Sequence, residues 1–194
     1  MSCRPECSTC EGLRQLALEI VGDGGVDALS LEMLSARSGL SRGQVRTHYP
    51  TVAACVYDAY DEASGNLFRV FADAFGEDQS WEAAFATATR ELLVRVATNP
   101  AEARFCFVEA LRVDRELRRR CERRRAGIVE FLTGEYEHRP CRDPLSSIQI
   151  ELLVGASFHA ISDALASGGP EALLDLGPKL SVLGGVFELA AAAA

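Results

Sequence analysis

The sequence predicts an all-α protein of about nine helices. Three observations carry that expectation. Alanine, leucine, arginine and glutamate, all good helix formers, are abundant. The two-residue alternation of β-branched side chains that marks a half-buried strand is nearly absent. Glycine and proline stops, and Ser, Asp and Asn starts, divide the chain into helix-length pieces.

Each piece has its own signals. Glu11 to Val21 places Leu13, Leu16, Ala17 and Ile20 on one face and stops at Gly22 to Gly25. Ser30 caps Leu31 to Ser38, and Gly39 ends that helix because glycine takes the left-handed conformation without strain. Ser41 caps a short third helix, Arg42 to Tyr49. After Pro50-Thr51, a long helix runs from Val52 to Phe75 with the stripe Val52, Val56, Ala59, Ala63, Leu67, Val70 and Ala74. Ser80 caps a helix through Ala97, and Asn99-Pro100 opens the next, proline sitting where the missing N–H costs nothing. Asp114 to Tyr136 reads as one charged helix. Asp143-Pro144 starts another that reaches about Ser167, and Gly168-Gly169-Pro170 separates it from a last helical segment ending near Ala190.

The 194 residues are 48% apolar and 25% charged, which excludes a disordered or collagen-like chain. The longest apolar stretch, Leu152 to Ile161, contains His159 and falls short of the roughly 18 residues of a spanning helix. Met1 to Cys7 has no apolar signal core, so the expected compartment is the cytoplasm, with no membrane partner. Net charge is −8, yet residues 33–57 hold Arg37, Arg42, Arg46 and His48 without an acid. Eight arginines between 112 and 125 alternate with Asp114, Glu116 and Glu122, the pattern of a solvated helix face. Three well-separated histidines offer little for hydrolytic catalysis, and no enzyme is expected.

The three short N-terminal helices carry the functional signal. Gly39-Leu40-Ser41 is the glycine-containing turn of a helix-turn-helix unit. A short helix can lie in a major groove only when a second helix braces it, and Leu31, Leu34, Leu40 and Val45 are placed to pack the two. Arg42, Gln44, Arg46, Thr47 and His48 then face outward. Arginine paired with guanine and glutamine paired with adenine are common base-reading contacts. Ser30, Ser41, Thr47 and Tyr49 suit hydrogen bonds to phosphates. On spacing alone, a solvated corner of a helical bundle is the competing reading.

Ser30-Leu31, Ser38-Gly39-Leu40-Ser41-Arg42-Gly43 and His48-Tyr49-Pro50-Thr51 resemble, in order, the N-terminal domain of the TetR (tetracycline-repressor) family. The layout beyond residue 51 is similar to that family in architecture. The resemblance implies a DNA-binding domain at 1–50 and an effector-binding and dimerisation domain at 51–194. It further implies a homodimer that binds a palindrome-like double-stranded operator and is released by a small apolar effector. Two departures stand out: Arg46 replaces a common aromatic residue, and Val52 replaces a lysine that helps hold a phosphate. With residues 1–60 summing to −2 (five arginines, seven acids), modest affinity and a shallow salt dependence are expected.

Ile148 to Leu165 is apolar on more than one face, Leu152, Ala156 and Ala160 on one side and Leu153, Phe158, Ile161 and Leu165 on others. A helix apolar all round needs burial on all sides, so a second subunit is expected along residues 148–190, where Leu180, Leu183, Phe187 and Ala190 continue the pattern. Trp81, Phe85, Phe105, Phe107, Tyr136 and Phe158, with His159, are candidates to line an effector pocket; plain core is the alternative for each aromatic residue. His159 and Asp163, one turn apart, suit the dimer seam. Glu109 needs a partner if buried.

Seven cysteines in a reducing compartment do not suggest a disulfide framework. Cys55, Cys106, Cys121 and Cys141 read as small buried residues. Cys3-x3-Cys7-x2-Cys10 is different, because three thiolates so spaced can hold an iron–sulfur cluster or, with a fourth ligand, zinc. The expectation is a tail with incidental cysteines and no cofactor. A redox or metal-cofactor protein built on these three is the alternative.

Overall fold

The computed structural model describes residues 7–76, 79–138, 146–167 and 169–182. Among them are nine α-helices and no strand. They are α1 (Ser8–Gly24), α2 (Leu31–Ser38), α3 (Arg42–His48), α4 (Val52–Asp73), α5 (Trp81–Thr98), α6 (Pro100–Phe107), α7 (Arg115–Glu137), α8 (Ser147–Ser167) and α9 (Gly169–Leu174). Short 3-10 turns follow α1 at Val26–Ala28 and α6 at Glu109–Arg112, and residues 176–182 are also helical.

Local chemistry sets most boundaries. The Ser30 hydroxyl accepts from the Met33 N–H at 3.1 Å, and the Ser80 hydroxyl accepts from Ala83 at 3.3 Å. Asp114 caps α7 by accepting from the Leu117 N–H at 2.8 Å. Gly39 closes α2 at φ +73°, the left-handed geometry its position requires. Two ends differ from expectation. The first helix starts at Ser8 rather than Glu11, since Cys7 precedes it without a side-chain cap and leaves no local start signal. For α8 the start is a capping box, not Asp143-Pro144: Ser146 accepts from the Gln149 N–H at 3.4 Å while Gln149 accepts from the Ser146 N–H at 2.8 Å. Asp143, Pro144, Gly168, Leu183, Phe187 and Ala190 lie outside the described residues.

Packing groups the chain into two units. The first comprises the described residues up to Gly65 together with Pro100–Arg118. Within it α1 packs against α2, α3 and α6. Leu13, Val21, Leu34 and Val45 are essentially inaccessible, each such side chain contributing about 1.5–3 kcal/mol of burial. Gly22 allows the approach of α6: a Cβ there would lie 2.4 Å from the Ala101 carbonyl oxygen. Arg104 Nε donates to the Gly22 carbonyl at 3.2 Å. Buried Glu109 finds its counter-charges in Arg112 at 3.7 Å and Arg104 at 4.0 Å.

The second unit comprises Asn66–Asn99 and the described residues from Arg119 onward. Its core is aromatic, with Phe71, Phe75, Trp81, Phe85, Leu132, Tyr136, Ile150 and Leu153 buried together. In it α9 packs on α5 and α8. The division by packing passes within α4, after α5 and within α7.

Candidate functional site

The first unit presents α3 as a capped, braced and exposed helix. Leu34 and Val45 are 0% exposed and lock α2 to α3, with Leu31 and Leu40 half-buried beside them. Ser41 and Gln44 form a complete capping box. The Gln44 side-chain carbonyl accepts from both the Ser41 N–H and hydroxyl at 2.9 Å. A glutamine that reads adenine needs that same carbonyl, so here its first duty is to start the helix.

Arg42, Gln44, Arg46 and Thr47 are exposed, as is Ser41, and Ser30 is half-buried. Arg42 pairs with Glu32 at 2.9 Å, an exposed ion pair of little net worth that a phosphate or guanine can displace. Arg46 has no ion-pair partner among the described residues. Thr47 donates its hydroxyl to the Gly43 carbonyl at 3.0 Å.

His48, expected to face outward, is half-buried, and Tyr49, expected at a phosphate, turns inward. Tyr49 is 3% exposed, and its hydroxyl accepts from Arg14 at 3.4 Å. Arg14 in turn pairs with Glu62 of α4. Burial raises the Tyr49 pKa, partly offset by Arg14. Burial lowers that of Arg14, but hydrogen bonds to Tyr49 and Glu62 and the Glu62 charge leave it above its ordinary value. Tyr49 therefore braces α1 behind α3 and is buried away from any phosphate. His48 is half-buried, and its Nδ1 faces Cys10 Sγ at 3.3 Å and Cys7 Sγ at 3.7 Å. Cys3 lies outside the described residues. Sequence reading missed these contacts because the partners lie about forty positions apart: Cys7 is 41 residues from His48, and Arg14 is 35 from Tyr49.

The seven expected effector-lining residues are divided between the two units. Trp81, Phe85 and Tyr136 share the aromatic core of the second unit, and Phe158 packs against it. Phe105 and Phe107 belong to the first unit, carried there by α6, with Tyr60 edge-on to Phe105 at 6.1 Å. His159 is exposed on α8. Trp81 is ringed by Tyr136 at 5.1 Å, Phe75 at 5.4 Å and Phe85 at 6.0 Å. Its indole N–H is buried with no acceptor among the described residues. Phe71, Phe75 and Phe131 were not singled out by sequence; the i, i+4 spacing of Phe71 and Phe75 was the available signal. A separate groove of about 430 Å³ lies between α7 and α8, lined by Glu122, Arg125, Val129, Glu130, Glu151 and Gly155.

Helix α8 leaves an apolar stripe uncovered. Ile148 is 65% and Leu152 58% exposed, with Ala156, His159 and Asp163 following on the same face. By length and composition alone this helix, unlike its shorter uninterrupted apolar stretch, also passes for a membrane span, a test that core helices of soluble proteins pass as well. Leu153, Ile161 and Leu165 are buried, and so is Leu180, which continues the apolar pattern and is 2% exposed.

No protein-family model and no curated protein matches the sequence. Solved structures match the fold throughout. A TetR-like transcriptional regulator from Rhodococcus sp. RHA1 superposes with a TM-score of 0.72 at 17% identity, over 95% of this chain and 99% of that one. The transcriptional regulator FadR from Bacillus subtilis, in complex with stearoyl-CoA, gives 0.78 at 13%, over 90% and 96%. The multidrug binding protein EbrR, complexed with malachite green, gives 0.72 at 19%, over 92% and 98%. The resemblance to TetR regulators seen in the sequence thus extends to the fold of nearly the whole chain.

Proposed function

We propose that this chain is a cytoplasmic, homodimeric, ligand-responsive transcriptional regulator and not an enzyme. In this reading it represses from a palindrome-like operator until a small apolar effector releases it. The observation that carries the reading is α3: a seven-residue helix capped at Ser41, locked by Leu34 and Val45, and exposing Arg42 and Arg46. Arg46 reads a base, Arg42 exchanges Glu32 for the duplex, and Ser30, Ser41 and Thr47 take phosphates. Gln44 contributes its free amide N–H groups while it holds the cap.

The effector site is the aromatic core around Trp81, with Phe85, Tyr136 and Phe158 as its lining. An indole N–H buried without an acceptor is costly, and a ligand carbonyl or carboxylate there would satisfy it. Proteins of this fold hold ligands as unlike as stearoyl-CoA and malachite green, which supports an apolar occupant. The uncovered stripe of α8 supports the dimer: a second copy buries Ile148 and Leu152 and sets His159 beside Asp163 at the seam. The test is a gel shift of the purified protein on its own upstream DNA, with and without a library of apolar compounds. A retarded complex that one compound class dissolves is expected. No complex on any upstream fragment would sink the proposal.

A further inference from the structure

We infer that Cys7, Cys10 and His48 form a zinc site that fastens the end of the recognition helix to the start of α1. Cys7 is the extended residue that precedes α1 and Cys10 lies in the first turn. Their i, i+3 spacing turns both sulfurs to one side of the helix. His48, the last residue of α3, brings its ring to that side from 38 positions further on. The two sulfurs and the ring nitrogen all lie within 4.8 Å of one another.

The geometry suits a metal better than a lone hydrogen bond. Zinc bound tetrahedrally at about 2.3 Å from sulfur and about 2.0–2.1 Å from nitrogen holds those donors about 3.5 Å apart. The observed Sγ···Nδ1 separations, 3.3 and 3.7 Å, straddle that value. One thiol would satisfy one ring nitrogen, whereas here both sulfurs converge on the same nitrogen. Two thiols and an imidazole form a soft donor set that selects zinc over magnesium or calcium. Cys10 is 1% exposed, while Cys7 and His48 are half-buried, so the cluster is sheltered and still reachable. Binding needs no oxidant: each thiol releases its proton to solvent and its sulfur lone pair joins the metal. Three protein donors leave one tetrahedral position, which water can fill.

Metal in this place ties α1 to the C-terminal end of α3. The ordering of the reading helix then depends on zinc, a consequence that rests on the function proposed above. The full chain, purified anaerobically, is titrated with Zn²⁺ against a chromophoric chelator and with Co²⁺ for thiolate-to-cobalt absorption. One metal per chain and a charge-transfer band are expected. Cys7→Ser and His48→Gln should each weaken zinc binding by at least about 100-fold, the upper range for loss of a mere outer-shell partner. Cys121→Ala, the control, should not. A band absent in wild type, or zinc affinity indifferent to both substitutions with helicity intact, would overturn the site. In a second arm, loaded and chelator-stripped protein are compared on upstream DNA. Weakening by at least about fivefold on stripping supports the coupling, and equal binding overturns the coupling but not the site. Zinc uptake without duplex binding by either form would instead remove the proposed function and leave the zinc site standing.

Discussion

Arg46 and Gln44 sit two positions apart on the same exposed helix, yet their neighbours give them different work. Arg46 carries no ion pair among the described residues, so its guanidinium can reach a base without breaking anything. Arg46→Ala should therefore weaken specific binding by about 1–3 kcal/mol and relax one operator position, as read by footprinting against a randomised site. Gln44→Ala should act mainly on helix stability, lowering the melting temperature while leaving base preference in place; a change in preference equal to that of Arg46→Ala would contradict the capping role. Cys55 offers a second residue-scale test. Burial, reinforced by Asp58 and opposed by Arg14, pushes its thiol up to about 12. Because that lies above the unfolded value of about 8.5, the stabilisation is whole below the unfolded value and is lost as pH rises toward 12. Native protein at pH 8 should leave Cys55 unalkylated by mass spectrometry, and unfolding should become easier above about pH 9. Labelling of Cys55 at the rate of a free thiol would defeat this.

Helix α8 shows at the scale of an element what one chain leaves unfinished. Ile148 and Leu152 are more than half exposed while Ile150 and Leu153, their close neighbours in sequence, are inaccessible. Leu152→Glu places a charge on the exposed stripe where the proposed second copy would pack. It should convert dimer to monomer in sedimentation equilibrium with little loss of helicity, whereas an unchanged wild-type dimer would place the seam elsewhere. Elements were also where the sequence was most legible. Ser30, Ser41 and Ser80 announce their helices because a cap is a contact over three residues, and Gly39 announces a stop because its backbone angle is its own property. The inward turn of Tyr49, the gathering of His48 with two cysteines and the close seat of Ala101 on Gly22 were not legible. Each depends on which helices meet, and no local pattern encodes that. The capping box at Ser146 repeats Ser41-x-x-Gln44 and was available, though the neighbouring Asp143-Pro144 gave a louder start signal.

For the whole molecule, the question is how an occupant of the aromatic core can alter α3. Helix α5 carries Trp81 and Phe85 into that core, and α6 follows it in the sequence. Helix α6 then seats on α1 through Gly22 and Arg104, and α1 packs against α3. An effector can act on the reading helix only if it binds one arrangement of the protein better than the other. Trp81 is the sole tryptophan of the sequence, so its fluorescence reports this core alone. A true effector should change that emission and, at about 100 times its dissociation constant, stabilise the fold by about 2.7 kcal/mol. For a chain of this size that is a rise of roughly 5–10 °C in melting temperature. Trp81→Phe keeps the apolar ring and removes the N–H. If the ligand's acceptor meets that group, the variant should lose about 0.5–1.5 kcal/mol of affinity while the same compound still releases DNA at higher concentration. A compound that releases DNA without disturbing Trp81 emission would locate the effector outside the aromatic core.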